Sequence, residues 1–235
     1  MNGHSELRER VLEANLEIVR ARLVILTFGN ASAVDRDAGV MAIKPSGVPY
    51  DRLTANEIVL VDVQSGAVVD GANRPSSDTP THLVLYRAFA GVGGIVHTHS
   101  PFATAWAQSH RELPCLGTTH ADHFDGAVPV TRPLSREAIE GDYERLTGEA
   151  IVEEFERLEL DPLACPAVLV ASHGPFVWGA GVAEAVENAV ALEAVAASAL
   201  RTELLRPGTE PIDDALRLRH FRRKHGPAAY YGQVT

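Results

Sequence analysis

Cysteine is scarce in this 235-residue chain, limited to Cys115 and Cys165. That is too few for a disulfide framework and fits a reducing compartment. Long apolar runs are missing too. No segment approaches the roughly 20 uninterrupted apolar residues of a membrane helix, and the opening MNGHSELRERVLEANLEIVR scatters charges where a signal peptide needs an apolar stretch. A soluble cytoplasmic protein without a membrane partner is therefore expected. Basic excess is also lacking. The formal charge of -10 argues against a nucleic-acid partner, which calls for a basic face. It leaves room for an anionic small substrate, because a few local donors outweigh a distant net charge. No linker, low-complexity run or repeat interrupts the chain, and 46% hydrophobic content suffices for a substantial core. One domain over residues 1–235 is the expectation.

What is present reads as a mixed α/β pattern. Val11, Leu12, Leu16, Ile18 and Val19 give residues 7–21 a helical period. Residues 24–27 read as a short strand running into the Gly29-Asn30 turn, and residues 40–43 as a strand stopped by KPSG. Residues 58–63 and 68–69 flank QSG as a hairpin. A helix is expected over 82–89 after Pro80, then a strand over 94–99 and another helix. Residues 136–158 read as one or two helices, 167–171 and 176–178 as paired strands, and 183–205 as a long, largely packed helix. A last helix is expected over 213–224. Strands often follow strands, which favours a largely antiparallel sheet with helices on its faces.

Three groups of residues could carry chemistry. His97 and His99 in GGIVHTHSPF stand two apart on an expected strand, so they share a face about 7 Å apart. Imidazoles so placed can share one ion, and Asp78 in SSDTP and His173 in ASHGPF would complete an oxygen-plus-three-nitrogen set suited to catalytic zinc. Taken singly, Asp78 is more often a helix cap and His173 a turn residue. The second group suits a phosphate: Gly29 and Asn30 in TFGNAS, Lys44, Ser46 and Gly47 in KPSG, and Ser76 and Ser77 in PSSD offer turn amides, hydroxyls and an ammonium. None forms a Walker loop, and GVGG is no dinucleotide fingerprint, since it enters a strand. The third group holds proton-transfer candidates: GTTHADHFDG gathers Thr118, Thr119, His120, Asp122, His123 and Asp125 in one polar segment, and the tail holds Tyr230 and Tyr231. Proton transfer needs such groups, although alone they read as a solvated loop and a frayed end.

From about residue 7 to residue 233, in unbroken order, LTFGNASAVDR, IKPSGVPYD, RPSSDTPTH, GGIVHTHS, GTTHAD, SHGPFVWG and KHGPAAYYGQ resemble the class II, zinc-dependent aldolase family, whose members include sugar-phosphate aldolases and epimerases. The resemblance implies a single three-layer α/β/α domain with a mainly antiparallel central sheet. It also implies a C4 homotetramer with active sites between adjacent subunits. Zn2+ would be held by Asp78, His97, His99 and His173. A phosphorylated pentulose would be bound by Gly29, Asn30, Lys44, Ser46, Gly47, Ser76 and Ser77. Asp122 and Tyr231 would be the acid-base pair, contributed by a neighbouring subunit whose tail is ordered by assembly; Thr118, Glu144 and His220 match positions near that site. Aldolase members tend to carry glutamate where this chain has Asp78, and GTTHAD follows the epimerase pattern. The implied reaction is inversion at C4 of L-ribulose 5-phosphate to D-xylulose 5-phosphate by carbon-carbon cleavage and recombination, with no redox cofactor and with arabinose catabolism as its setting. The alternatives are an aldolase or related pentulose-phosphate epimerase on the same scaffold, or a non-catalytic assembly relative, which would be expected to lose its histidines. One departure is HSPF, where Pro101-Phe102 replaces a more polar pair and bears on the pocket rim or a subunit contact.

Overall fold

Leu7, Val11, Ala14 and Ile18 recur at helical spacing, and all four are buried in the first helix, α1 (Ser5–Arg20). The computed structural model describes residues 4–226 and 229–231. After α1 come β1 (Asn30–Asp35), β2 (Val40–Ile43), β3 (Val59–Asp62), β4 (Val68–Asp70), α2 (Thr79–Ala88), β5 (Gly94–His97), α3 (Pro101–Gln108) and α4 (Thr118–Ala121). They are followed by α5 (Arg136–Glu140), α6 (Tyr143–Arg157), β6 (Ala167–Leu169), β7 (Pro175–Gly179), α7 (Val182–Leu205) and α8 (Asp214–Lys224). Part of the tail motif, residues 227–228 and 232–235, lies outside the described residues.

The seven strands form one sheet in the order β4-β3-β2-β1-β5-β7-β6, and every neighbouring pair is antiparallel. Helices cover both faces. On one, α1, α3 and α7 pack Ile18, Trp106, Leu192 and Val195 against Ala31, Ala33 and Val96 of the sheet. On the other, α2 and α6 set Leu85, Tyr86, Ile151 and Phe155 against Met41, Ile43, Ile95 and Trp178. Phe89, Phe155 and Trp178 form an aromatic triangle there, with centroids 5.2 to 5.4 Å apart, each pair contributing about 0.5–1.5 kcal/mol beyond its buried area. The α/β/α layering with an antiparallel sheet is thus as expected from the sequence. Cys115 and Cys165 are both free and buried.

Most boundaries shift by a few residues, and four departures matter more. Residues 24–27 are not a strand: Leu26 takes a left-handed backbone (φ 57), and Ile25 and Leu26 point outward, so the ladder cannot start there. It starts at Asn30 instead, and β1, built from the small residues NASAVD, occupies the middle of the sheet. The expected strand over 94–99 ends at His97, leaving His99 in the following loop. Residues 118–121 of the polar segment form a short helix. Finally, α7 is buried along most of its length, but its last turn carries Leu204 and Leu205 into the open, 76% and 88% exposed.

Antiparallel register determines what meets at the sheet's end. Asn30 pairs with His97 and Ser32 with Ile43, so the start of β1 meets the ends of β2 and β5. His97 also pairs with Phe176 near the start of β7. The loops TFGN, KPSG, HTHS and SHGP consequently open at one place.

Candidate metal centre and the cavity around it

The turn before β1 explains why glycine stands at position 29. Its φ is +81, and an added Cβ would lie 2.8 Å from Val24 Cγ1 and 2.9 Å from the His97 carbonyl oxygen. Only glycine takes this backbone and this proximity without strain. Tyr50 then secures the turn from below, its hydroxyl donating to the carbonyls of Phe28 at 3.0 Å and Gly29 at 2.8 Å. Beside it, the KPSG and PSSD loops are joined by a bridge between Pro45 and Pro75. The Ser46 amide donates to Arg74 O and the Ser76 amide to Lys44 O, both at 3.0 Å.

These loops line a cavity of about 420 Å³. Every expected substrate-binding residue, Gly29, Asn30, Lys44, Ser46, Gly47, Ser76 and Ser77, is on its wall, as are Asp78, His97, His99 and His173. The Lys44 ammonium is buried against the Tyr50 ring, 4.7 Å from its centroid, and burial lowers its pKa below the ordinary lysine value. An ammonium held this way has lost hydration that an anion can replace.

His97, His99 and His173 place one ring nitrogen each within 4.8 Å of the others. His97 Nδ1 lies 2.9 Å from the Pro175 carbonyl oxygen, and because a carbonyl only accepts, Nδ1 carries the proton and Nε2 presents a lone pair. That Nε2 is 3.2 Å from His99 Nε2. Two nitrogens bound to one tetrahedral ion at about 2.1 Å lie about 3.4 Å apart, so the spacing fits a shared cation. Phe176 stacks on His97 at 4.1 Å and restricts the ring's rotation. Burial holds the His99 pKa below its ordinary value, with His97 adding to the effect. Burial, then His97 and His99, push His173 down to about 4. At neutral pH both rings are neutral and free to donate lone pairs.

Asp78 lines the same cavity without belonging to this tight group. It occupies the position before α2 but makes no side-chain cap bond. Its Oδ2 instead accepts from Asn30 Nδ2 at 2.6 Å. Burial works against its charge, yet His97, His82, Asn30 and His173 together keep its pKa below the usual carboxylate value. Reading the sequence missed Tyr143, whose hydroxyl is 3.3 Å from His173 Nδ1 and which lines the cavity next to Glu144. Nothing in the local run GDYERL marks it.

Asp122 and Tyr231 are not in this cavity. Arg223 links them elsewhere in the chain, where α8 crosses α4: Asp122 is bound by Arg223 and His220, and Arg223 lies over the Tyr231 ring. Pro101 and Phe102 are also absent from the cavity wall. The Phe102 amide donates to Glu193 at 2.9 Å, and its ring faces Arg201 at 5.1 Å, so within this chain the HSPF departure lies where α3 meets α7, off the wall of this cavity.

Residues 9–200 match the family model for the class II aldolase and adducin N-terminal domain. The chain belongs to the class II aldolase family. It is 50% identical over 228 residues to a protein of Salmonella paratyphi A named L-ribulose-5-phosphate 4-epimerase UlaF, covering 97% of this chain and 99% of that one; the protein of the same name from Salmonella typhi matches equally. Among solved structures, an L-fuculose 1-phosphate aldolase superposes with a TM-score of 0.78 at 23% identity, covering 93% of this chain and 95% of that one. The L-fuculose-1-phosphate aldolase of Thermus thermophilus gives 0.67 at 24% identity, over 88% and 98%. At those identities the structures establish the fold of this class II aldolase chain. Among the described residues, no helix is long and apolar enough to cross a membrane.

Proposed function

We propose that the protein is a metal-dependent epimerase that inverts C4 of L-ribulose 5-phosphate to give D-xylulose 5-phosphate. The observation that carries this reading is a three-histidine group and a set of phosphate-type donors sharing one cavity, in a chain half identical to proteins named for that reaction. A cytoplasmic place in pentose catabolism, with arabinose breakdown as one setting, belongs to the same reading.

His97, His99 and His173 would hold the ion, with Asp78 as fourth ligand. Zinc suits three imidazoles and one carboxylate, and when bound it supplies Lewis acidity that stabilises negative charge developing on substrate oxygens. Ser46, Ser76, Ser77, the Gly29 and Gly47 turns, Asn30 and Lys44 grip the phosphate. That grip is essential to the chemistry. Cleavage of C3–C4 gives a three-carbon enediolate and glycolaldehyde phosphate, and only an anchored aldehyde can rotate and be attacked on its other face.

The C4 oxygen points to opposite sides before and after that rotation, so two proton-handling groups are needed. Asp122 and Tyr231, lying outside the cavity of their own chain, would enter that of an adjacent copy in a homotetramer. Incubation with L-ribulose 5-phosphate tests the reading. D-xylulose 5-phosphate should accumulate, whereas stoichiometric release of free glycolaldehyde phosphate would mark an aldolase on the same scaffold.

A further inference from the structure

Among the described residues, Arg223 bonds to Asp122 through both carboxylate oxygens and also packs on Tyr231. Its Nε donates to Asp122 Oδ1 at 2.8 Å and its Nη2 to Asp122 Oδ2 at 2.5 Å, a fork matched to both carboxylate oxygens. The same guanidinium lies 4.7 Å over the centre of the Tyr231 ring, within cation-π range. Its backbone carbonyl accepts the amides of Tyr230 at 2.9 Å and Tyr231 at 3.0 Å. One residue of α8 thus touches a carboxylate from the end of α4 and an aromatic ring from the tail.

We infer that Arg223 is a positioning residue that locks Asp122 and Tyr231 into one preassembled unit, delivered whole to the substrate cavity of an adjacent copy. The inference rests on the proposed epimerase reaction, in which those two side chains carry protons. Among the described residues, the neighbouring groups do not duplicate the role. His220 Nδ1 reaches Asp122 Oδ1 at 3.1 Å but does not bridge to the ring. His225 Nε2 meets only the Asp122 backbone oxygen, at 3.0 Å. Lys224 lies 5.0 Å over the Tyr231 ring, but its Nζ is 3.4 Å from His123 Nε2 and not on Asp122. A lysine at position 223 would keep the charge and lose the planar fork, so the arginine-to-lysine exchange isolates geometry from charge.

The test compares wild type, Arg223→Lys and Arg223→Ala for kcat, KM and the pH profile of kcat/KM with L-ribulose 5-phosphate, alongside thermal melting. In Arg223→Lys, kcat should fall about 10²-fold, the cost of misplacing a reacting group by about 1 Å, while KM changes by less than about threefold because the phosphate grip is untouched. In Arg223→Ala the acid limb should move to higher pH, since Asp122 loses the cation that keeps it ionised, and millimolar guanidinium should restore part of kcat. A purely structural arginine would lower the melting temperature without moving that limb. If Arg223→Ala does not fold, Arg223→Lys carries the test. An active wild type whose Arg223→Lys form keeps kcat within about threefold and its acid limb in place overturns this inference alone; an inactive wild type overturns the epimerase reading and this inference with it.

Discussion

The Nε2 atoms of His97 and His99 stand 3.2 Å apart with His97 Nδ1 committed to the Pro175 carbonyl. His97 Nε2 therefore presents a lone pair, which neutral His99 can meet by donating from Nε2–H and which a shared cation would engage together with the lone pair of the other His99 tautomer. Metal content should therefore depend on these two rings. His97→Asn and His99→Asn should each lower divalent-metal affinity by more than the roughly 10–100-fold lost with a supporting outer-shell group. Metal competition titration measures it, and unchanged affinity in both variants would remove the site.

Lys44 should act on substrate and not on metal. Lys44→Met removes the buried ammonium beside the Ser46 and Ser76 loops, and a hydrogen bond from a charged donor contributes about 1.5–3 kcal/mol. KM for a phosphorylated substrate should rise about 10- to 100-fold with metal stoichiometry intact. Loss of metal in this variant would mean that Lys44 supports the fold of the site and not the phosphate.

Gly29→Ala should disturb the turn and the histidines together. The new Cβ would press on Val24 and on the His97 carbonyl in a left-handed backbone, which costs more than about 1 kcal/mol. Both the melting temperature and metal affinity should drop. A melting curve identical to wild type would contradict the close approach.

Acid should destabilise the protein through His120. This ring is buried, its Nε2–H donates to the Gly126 carbonyl at 2.8 Å, and burial lowers its pKa to about 4. An unfolded histidine protonates near 6.5. Between pH 6.5 and about 4 the unfolded chain thus binds the proton that the folded one refuses, and stability falls with pH by up to about 3 kcal/mol. Denaturant titrations of His120→Gln should show a shallower loss across that window; an unchanged slope would reject the assignment.

Asp122→Asn should keep its metal and lose most epimerisation. Mixed with inactive His97→Asn and allowed to exchange subunits, it should recover about a quarter of wild-type turnover, because half of the metal-competent sites then face an intact Asp122 from an adjacent copy. No recovery after demonstrated exchange would place both residues' functions within one chain.

Much of the site was legible because its parts fall in short, chemically distinctive runs. His97 and His99 share a cavity although His99 leaves the strand, with their ring centroids 5.0 Å apart. TFGN, KPSG and PSSD converge because β1 runs antiparallel to both β2 and β5. The strand β1 itself was hidden: Ala31, Ser32 and Ala33 have little intrinsic strand preference and are buried by their neighbours, while Val24 and Ile25 look more strand-like than they are. Arg223 on Asp122 and Tyr143 on His173 join distant parts of the chain, and no local pattern announces such contacts. Within this chain Pro101 and Phe102 lie off the cavity wall, and the Phe102 amide donates to the Glu193 carboxylate of α7.

The most direct measurement is the yield of D-xylulose 5-phosphate from L-ribulose 5-phosphate, followed with metal-replete and metal-stripped protein side by side. The replete protein should reach an equilibrium mixture of the two pentulose phosphates with negligible free glycolaldehyde phosphate, and the stripped protein should do so only after a divalent ion is returned. No conversion by protein carrying one metal ion per chain, or equal conversion by stripped protein, would contradict metal-dependent epimerisation.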